Sequence, residues 1–234
     1  MSRVIEIERL RKHYVSLRPL RVESLAVNAG QRVAVTGIDA AGAEVFVNLL
    51  TGAALPDEGT IRILGRDTSA IANADEWLAA LDAFGIVSAR AGLVGEMTAA
   101  QNLALAFTLS VDPIPGDTLA GVRRLSVEAG VPLDQLDRRA GEVAPEVTAR
   151  CHLARALAAE PALLLLEHAN ALTAPADAAA FGRDVARVAA GRRLAVLAIT
   201  ADDSFAHAVA DAVYAVEAAT GRLVRRSGWR RWFA

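Results

Sequence analysis

The chain has 234 residues, 53% hydrophobic and 22% charged, with a formal net charge of −2. That length and apolar content fit one large α/β domain, or one domain with a subdomain, and the scattered basic residues exclude a nucleic-acid footprint. A single cysteine, Cys151, rules out an internal disulfide framework and reads as a small buried hydrophobe in a reducing compartment.

The first residues, Met1-Ser2-Arg3-Val4-Ile5-Glu6, lack the apolar core of a signal peptide. No run approaches the roughly 20 apolar residues of a membrane span, so a cytoplasmic chain is expected. Residues 3–10 and 20–27 alternate apolar and polar as half-buried strands do, and residues 31–36 form a β-branched strand. Val45-Phe46-Val47-Asn48-Leu49-Leu50 reads as helix, stopped by Gly52 and the Pro56-Asp57-Glu58-Gly59 turn, with a returning strand over residues 60–64. Trp77, in Ala74-Asp75-Glu76-Trp77-Leu78, is expected on a helix packing against the sheet. After Gly85-Ile86-Val87-Ser88, alanine-rich periodic segments predict packed helices over residues 98–158, interrupted by Asp112-Pro113-Ile114-Pro115-Gly116. Residues 162–166 and 194–199 are continuous apolar runs of the kind buried on both faces of a parallel sheet. A crossover helix is expected over residues 174–190, and a last helix over residues 204–212.

Between the third strand and the first helix lies Gly37-Ile38-Asp39-Ala40-Ala41-Gly42-Ala43-Glu44, the frame of a phosphate-binding loop. In a working loop the glycine backbone cradles phosphates, a Lys reaches the β and γ oxygens, and a Ser or Thr hydroxyl holds Mg²⁺. Here Ala43 stands at the Lys position and Glu44 at the hydroxyl position, and the chain's single lysine, Lys12, lies elsewhere. A helix beginning near Gly42 would put Glu44 in its first turn with Asp39 close by, so carboxylates are expected to cap that end from within and to repel phosphate.

The order of segments resembles the nucleotide-binding domain of ABC transporters over roughly residues 3–224. The resemblance rests on the Gly37 loop with Asn48-Leu49-Leu50-Thr51-Gly52, on Pro56-Asp57-Glu58-Gly59-Thr60-Ile61, and on Leu153-Ala154-Arg155-Ala156-Leu157 followed by Pro161 and the Leu163 run. It implies a P-loop NTPase (RecA-like) α/β fold: a mostly parallel sheet flanked by helices, an N-terminal antiparallel β region, and a helical subdomain over about residues 90–158. The whole of residues 1–234 would be one such domain, with an Arg/Trp tail over 225–234.

The resemblance also places the family's chemical motifs, and this chain departs from most of them. Tyr14 falls where an aromatic residue stacks on adenine. The glutamine loop falls near Val87-Ser88-Ala89, where Ala89 has no ligand oxygen in its side chain. The signature falls on Val143-Ala144-Pro145-Glu146-Val147, a proline and a carboxylate replacing its hydroxyl and glycine amides. The metal-holding Asp and the catalytic Glu fall on Glu167 and His168, and the switch histidine on Ala201, with Asp202 kept. No phosphoryl-transfer apparatus remains, because that chemistry consists almost wholly of positioning and charge stabilisation.

What the resemblance implies is a non-catalytic subunit, peripheral on the cytoplasmic membrane face. It would pair with a permease and a second nucleotide-binding subunit, hold no metal, and bind ATP or ADP weakly if at all. Two alternatives stay open: an active ATP-binding subunit working at composite dimer sites, and a free-standing regulatory module. Partner contacts are expected at residues 143–147 and in the tail, where Trp229 and Trp232 lie among arginines. His13, His152 and His207 lack metal-site spacing and read as structural or surface residues.

Overall fold

The computed structural model describes residues 2–226. An antiparallel pair, β1 (Arg3–Lys12) and β2 (Leu20–Asn28), is joined by β4 (Glu58–Ile63) and the short β5 (Arg66–Asp67) into a four-stranded sheet of order β2-β1-β4-β5. The second sheet is built from β3 (Arg32–Thr36), β6 (Phe84–Ser88), β7 (Leu163–Glu167), β8 (Ala195–Ile199), β9 (Ala212–Val216) and β10 (Leu223–Arg225), in the order β10-β9-β3-β8-β7-β6. Its strands pair in parallel except for β10, which is antiparallel to β9.

Period-two alternation divides the side chains of this sheet between two cores. Val33 and Val35, Leu163 and Leu165, and Leu197 and Ile199 face one cluster with the antiparallel sheet and α1 (Ala40–Leu50). Ala34, Leu164, Leu166, Val196 and Ala198 face the other. That second cluster is covered by α3 (Ala99–Ala104), α4 (Gly116–Ala129), α5 (Pro145–Ala156), α6 (Ala178–Arg192) and α7 (Asp203–Val209). Every residue of β7 and β8 is buried. A sheet covered on both faces explains their unbroken apolar runs.

Several boundaries differ from the sequence-based expectation. The helix after the glycine loop begins at Ala40, because Asp39 caps it there. The crossover helix begins at Ala178, after a 3-10 turn over Pro175–Asp177. The last helix stops at Val209, and Ala212 opens β9, a strand whose alanines dilute its β signal. Trp77 is on a helix, α2 (Ala74–Leu81), but none of that helix's residues is fully buried. The Trp77 indole N–H donates to the Thr51 carbonyl at 3.0 Å, at the end of α1. Cys151 and His152 are both buried on α5, as expected of structural residues. Trp229 and Trp232 lie outside the described residues.

His152 makes the helical core sensitive to acid. Burial, then the neighbouring Arg155, pushes its pKa down from 6.5 to about 4. In that interval the unfolded chain binds a proton that the folded chain refuses, so stability falls as pH drops from about 6.5 through about 4. Denaturant unfolding from pH 7 to pH 4 should show this loss, and His152→Gln should flatten it.

Candidate phosphate-loop site

Strand β3 delivers the chain to the glycine loop at the C-terminal edge of the parallel sheet, where open α/β folds gather their ligands. Gly37 has φ +86, and a Cβ there would lie 3.0 Å from the Val216 carbonyl, so glycine is required for the loop to pass the end of β9. Asp39 is the N-cap of α1: its Oδ1 accepts the Gly42 amide at 2.7 Å. The Tyr14 hydroxyl donates to the same oxygen at 3.4 Å. A Cβ on Gly42 would sit 2.9 Å from that oxygen and 3.0 Å from the Tyr14 hydroxyl, so the chain's own polar groups close over this part of the loop.

The expected cap at Glu44 is corrected by this geometry. Helix α1 starts four residues earlier, which places Glu44 beyond the first turn and outside capping reach of the orphan amides. Glu44 instead accepts an ion pair from Arg90 Nη1 at 2.9 Å. The other arm of the same guanidinium, Nη2, reaches Glu167 at 2.7 Å. Ala43, at the lysine position, is fully buried.

Parallel register explains how Arg90 arrives. Ser88, the last residue of β6, pairs with Glu167, the last of β7, and the Ser88 hydroxyl accepts the Arg90 amide at 3.1 Å. A turn two residues long thus returns an arginine over the neighbouring strand end. Its guanidinium is held protonated above the ordinary arginine value, first by the hydrogen bond to Glu167, with burial opposing and the charges of Glu167 and Glu44 adding. Glu167 is 4% exposed, whereas Arg90 and Glu44 are each about half exposed, at 48% and 49%.

Other sequence-predicted residues are placed apart from this cluster or carry no matching function. His168 adopts a left-handed backbone, φ 44, and its Nε2 is buried without a hydrogen-bond partner among the described residues. Ala201 is exposed and offers only a methyl group, while Asp202 caps α7 by accepting the Phe205 amide at 2.8 Å. Residues 143–147 lead into α5, whose N-cap, Ala144, makes no side-chain cap and whose first residue is Pro145. Ala144 and Pro145 are exposed and Glu146 is half-buried, as is Val143, which packs toward the helical core. Val147 corrects the partner-facing expectation: at 7% exposure it belongs to that core, because the helix turns it inward. Arg90 was missed by sequence reasoning. The signal available was a lone arginine just after Gly85-Ile86-Val87-Ser88, in a run of small residues.

The donor set does not fit MgATP. The lysine is absent, the hydroxyl is a carboxylate, one loop amide is already taken by Asp39, and the nearby cation is shared by two carboxylates.

Parallel sheet, glycine loop and helical layer together define a P-loop nucleotide-binding fold. The ABC transporter family model matches residues 20–171, and the chain belongs to that family. It is 29% identical over 227 residues to the Fe(3+) ions import ATP-binding protein FbpC of Serratia marcescens, covering 94% of this chain and 62% of that protein. It is 32% identical over 204 residues to the phosphonates import ATP-binding protein PhnC of Anaeromyxobacter dehalogenans, covering 83% and 40%. The chain therefore spans less than two thirds of those relatives' length. Among solved structures it resembles CbiO1 of Clostridium perfringens, part of the ABC transporter complex CbiONQ, with TM-score 0.78, 16% identity, and coverage of 96% and 88%. A dimeric ATP-binding cassette bound to ADP and Pi superposes with TM-score 0.74 at 16% identity, covering 95% and 98%.

Asp39→Ala should remove the α1 cap and lower stability by about 1 kcal/mol, or about 2–4 °C in Tm for a chain of this size. Glu44→Ala should leave the exchange of the loop amides at residues 40–42 unchanged. Thermal melts with hydrogen exchange of the two variants check this assignment of the cap.

Proposed function

We propose that this chain is a non-catalytic subunit of an ABC-type import complex, pairing with a second ATP-binding subunit, a permease, or both, on the cytoplasmic membrane face. The observation that carries this reading is the use of the hydroxyl-position side chain, Glu44, as a partner of Arg90 beside a buried Ala43. Phosphoryl transfer relies on cations and oriented donors around the transferred group. This loop presents a carboxylate where the reaction needs a hydroxyl, and a methyl group where it needs an ammonium. Import as the direction draws on the names of the curated relatives, which are import ATP-binding proteins, and a permease as partner on membership of the ABC transporter family.

The competing reading, an ATP-hydrolysing subunit, draws on those relatives' being ATP-binding proteins. It must find its general base in His168, whose imidazole nitrogen has no partner to orient it among the described residues. Two measurements separate the readings. Calorimetry on the chain alone should give no micromolar MgATP binding. ATPase turnover of the complex co-purified from its native membrane should be unchanged by His168→Ala in this chain. Micromolar affinity, or turnover lost on that substitution, would overturn the non-catalytic reading.

A further inference from the structure

The segment leaving β6, residues 88–97, is tied to the body of the protein by side-chain contacts with four other elements. Arg90 reaches Glu44 on α1 at 2.9 Å and Glu167 on β7 at 2.7 Å. Arg155 on α5 donates to the carbonyls of Ala91 and of Gly92, the latter at 3.2 Å. Asn102 on α3, 1% exposed, accepts the Val94 amide at 2.7 Å and donates to the Val94 carbonyl at 3.0 Å.

Of these ties only Arg90 joins the segment to the glycine-loop helix and to the sheet. We propose that Arg90 is a resident, covalently tethered cation of this site, which latches residues 88–97 in one conformation whether or not nucleotide is present. The inference rests on the non-catalytic reading and deepens it by assigning the site a ligand from within the chain.

Three physical arguments support the latch. Glu167 is nearly fully buried at the end of an all-leucine strand, so its carboxylate requires a cation within hydrogen-bond reach. A guanidinium supplies two separate nitrogens in a fixed fork, which matches two carboxylates on different elements; an ammonium is a point charge and does not span them in the same way. One guanidinium against two carboxylates leaves the cluster formally one unit negative, so an arriving phosphate meets repulsion even if Arg90 swings out. The exposed residues of the segment, among them Ala91, Gly92, Val94 and Glu96, then present a surface whose shape does not follow nucleotide.

The test is hydrogen exchange and thermal melting of the full chain, with and without MgATP, for wild type, Arg90→Met, Arg90→Lys and Arg90→Met/Glu167→Gln. Wild-type protection over residues 90–97 should be the same in both conditions. Arg90→Met should raise exchange there by about tenfold or more and lower Tm, and Arg90→Lys should recover only part of the protection. The double variant should regain most of the lost Tm, because no buried charge is left unpaired, while the segment stays loose. Should Arg90→Met fail to fold, Glu44→Gln, which removes only the half-exposed arm, should still raise exchange at residues 90–97.

Unchanged exchange in Arg90→Met, full rescue by Lys, or wild-type exchange that shifts with MgATP would each overturn the latch. Failure of the latch is distinguishable from failure of the non-catalytic reading. A wild type that neither binds nor hydrolyses MgATP, yet keeps its protection in Arg90→Met, defeats only the latch; micromolar binding or turnover by wild type defeats the reading beneath it.

Discussion

A carboxylate at the end of a strand buried on both faces cannot stand alone. Glu167 closes β7, a run in which every residue is buried, and taking an ion out of water carries a penalty of several kcal/mol unless a partner offsets it. Where such a fold binds a divalent cation, the metal serves as that partner. In this chain the partner is Arg90, carried on the turn after the adjacent strand. Removing one member of a buried pair typically costs ~3–5 kcal/mol, and less where, as for Arg90, the other member remains half in water.

The same constraint separates what holds the scaffold from what lines the loop. Fold and site draw on different residues at the C-terminal edge of one sheet. The strands that position the edge are held by Val33, Val35, Leu163 to Leu166 and Ala195 to Ile199, whose packing is indifferent to what lies above them. Above the edge, polar groups have been re-paired among themselves: Asp39 with the Gly42 amide, Glu44 and Glu167 with Arg90, and the Thr200 hydroxyl with Asn170 at 2.8 Å. Buried polar groups must be satisfied whether or not a ligand arrives. This sheet edge pairs most of its polar groups internally, and His168, with an Nε2 unpartnered among the described residues and a left-handed backbone, is the place where that pairing is incomplete.

How much of this is legible in the sequence depends on whether the deciding interaction is local. The central strands announce themselves because a two-faced burial demands four or five consecutive apolar residues, and the glycine loop because its spacing is backbone geometry. Strand β9 does not: Ala212-Val213-Tyr214-Ala215-Val216 is mixed in character, and it becomes a strand only because β3 and β10 flank it. The identity of the cap was ambiguous for a similar reason. Asp39 and Glu44 are both acidic and both near the loop, and only the start of the helix, itself decided by Asp39, tells them apart. The Arg90 bridge is the extreme case. Its three members are 46 and 77 residues distant from one another along the chain, and no pattern relates them until β6 is set beside β7 in register.

Charge inversion at this loop is distributed over several residues, and that distribution bears on whether it could be reversed. Restoring a lysine at position 43 would place an ammonium near Glu44, which is free to exchange Arg90 for it, so the new cation would be spent on an internal pair. Removing Glu44 as well would leave Arg90 with Glu167 and return one positive arm to the loop, yet Asp39 would still hold the Gly42 amide that a phosphate oxygen needs. Each substitution thus releases a group that another internal partner can take. A loop whose donors and charges are satisfied three separate ways is therefore not returned to a free phosphate cradle by any one substitution.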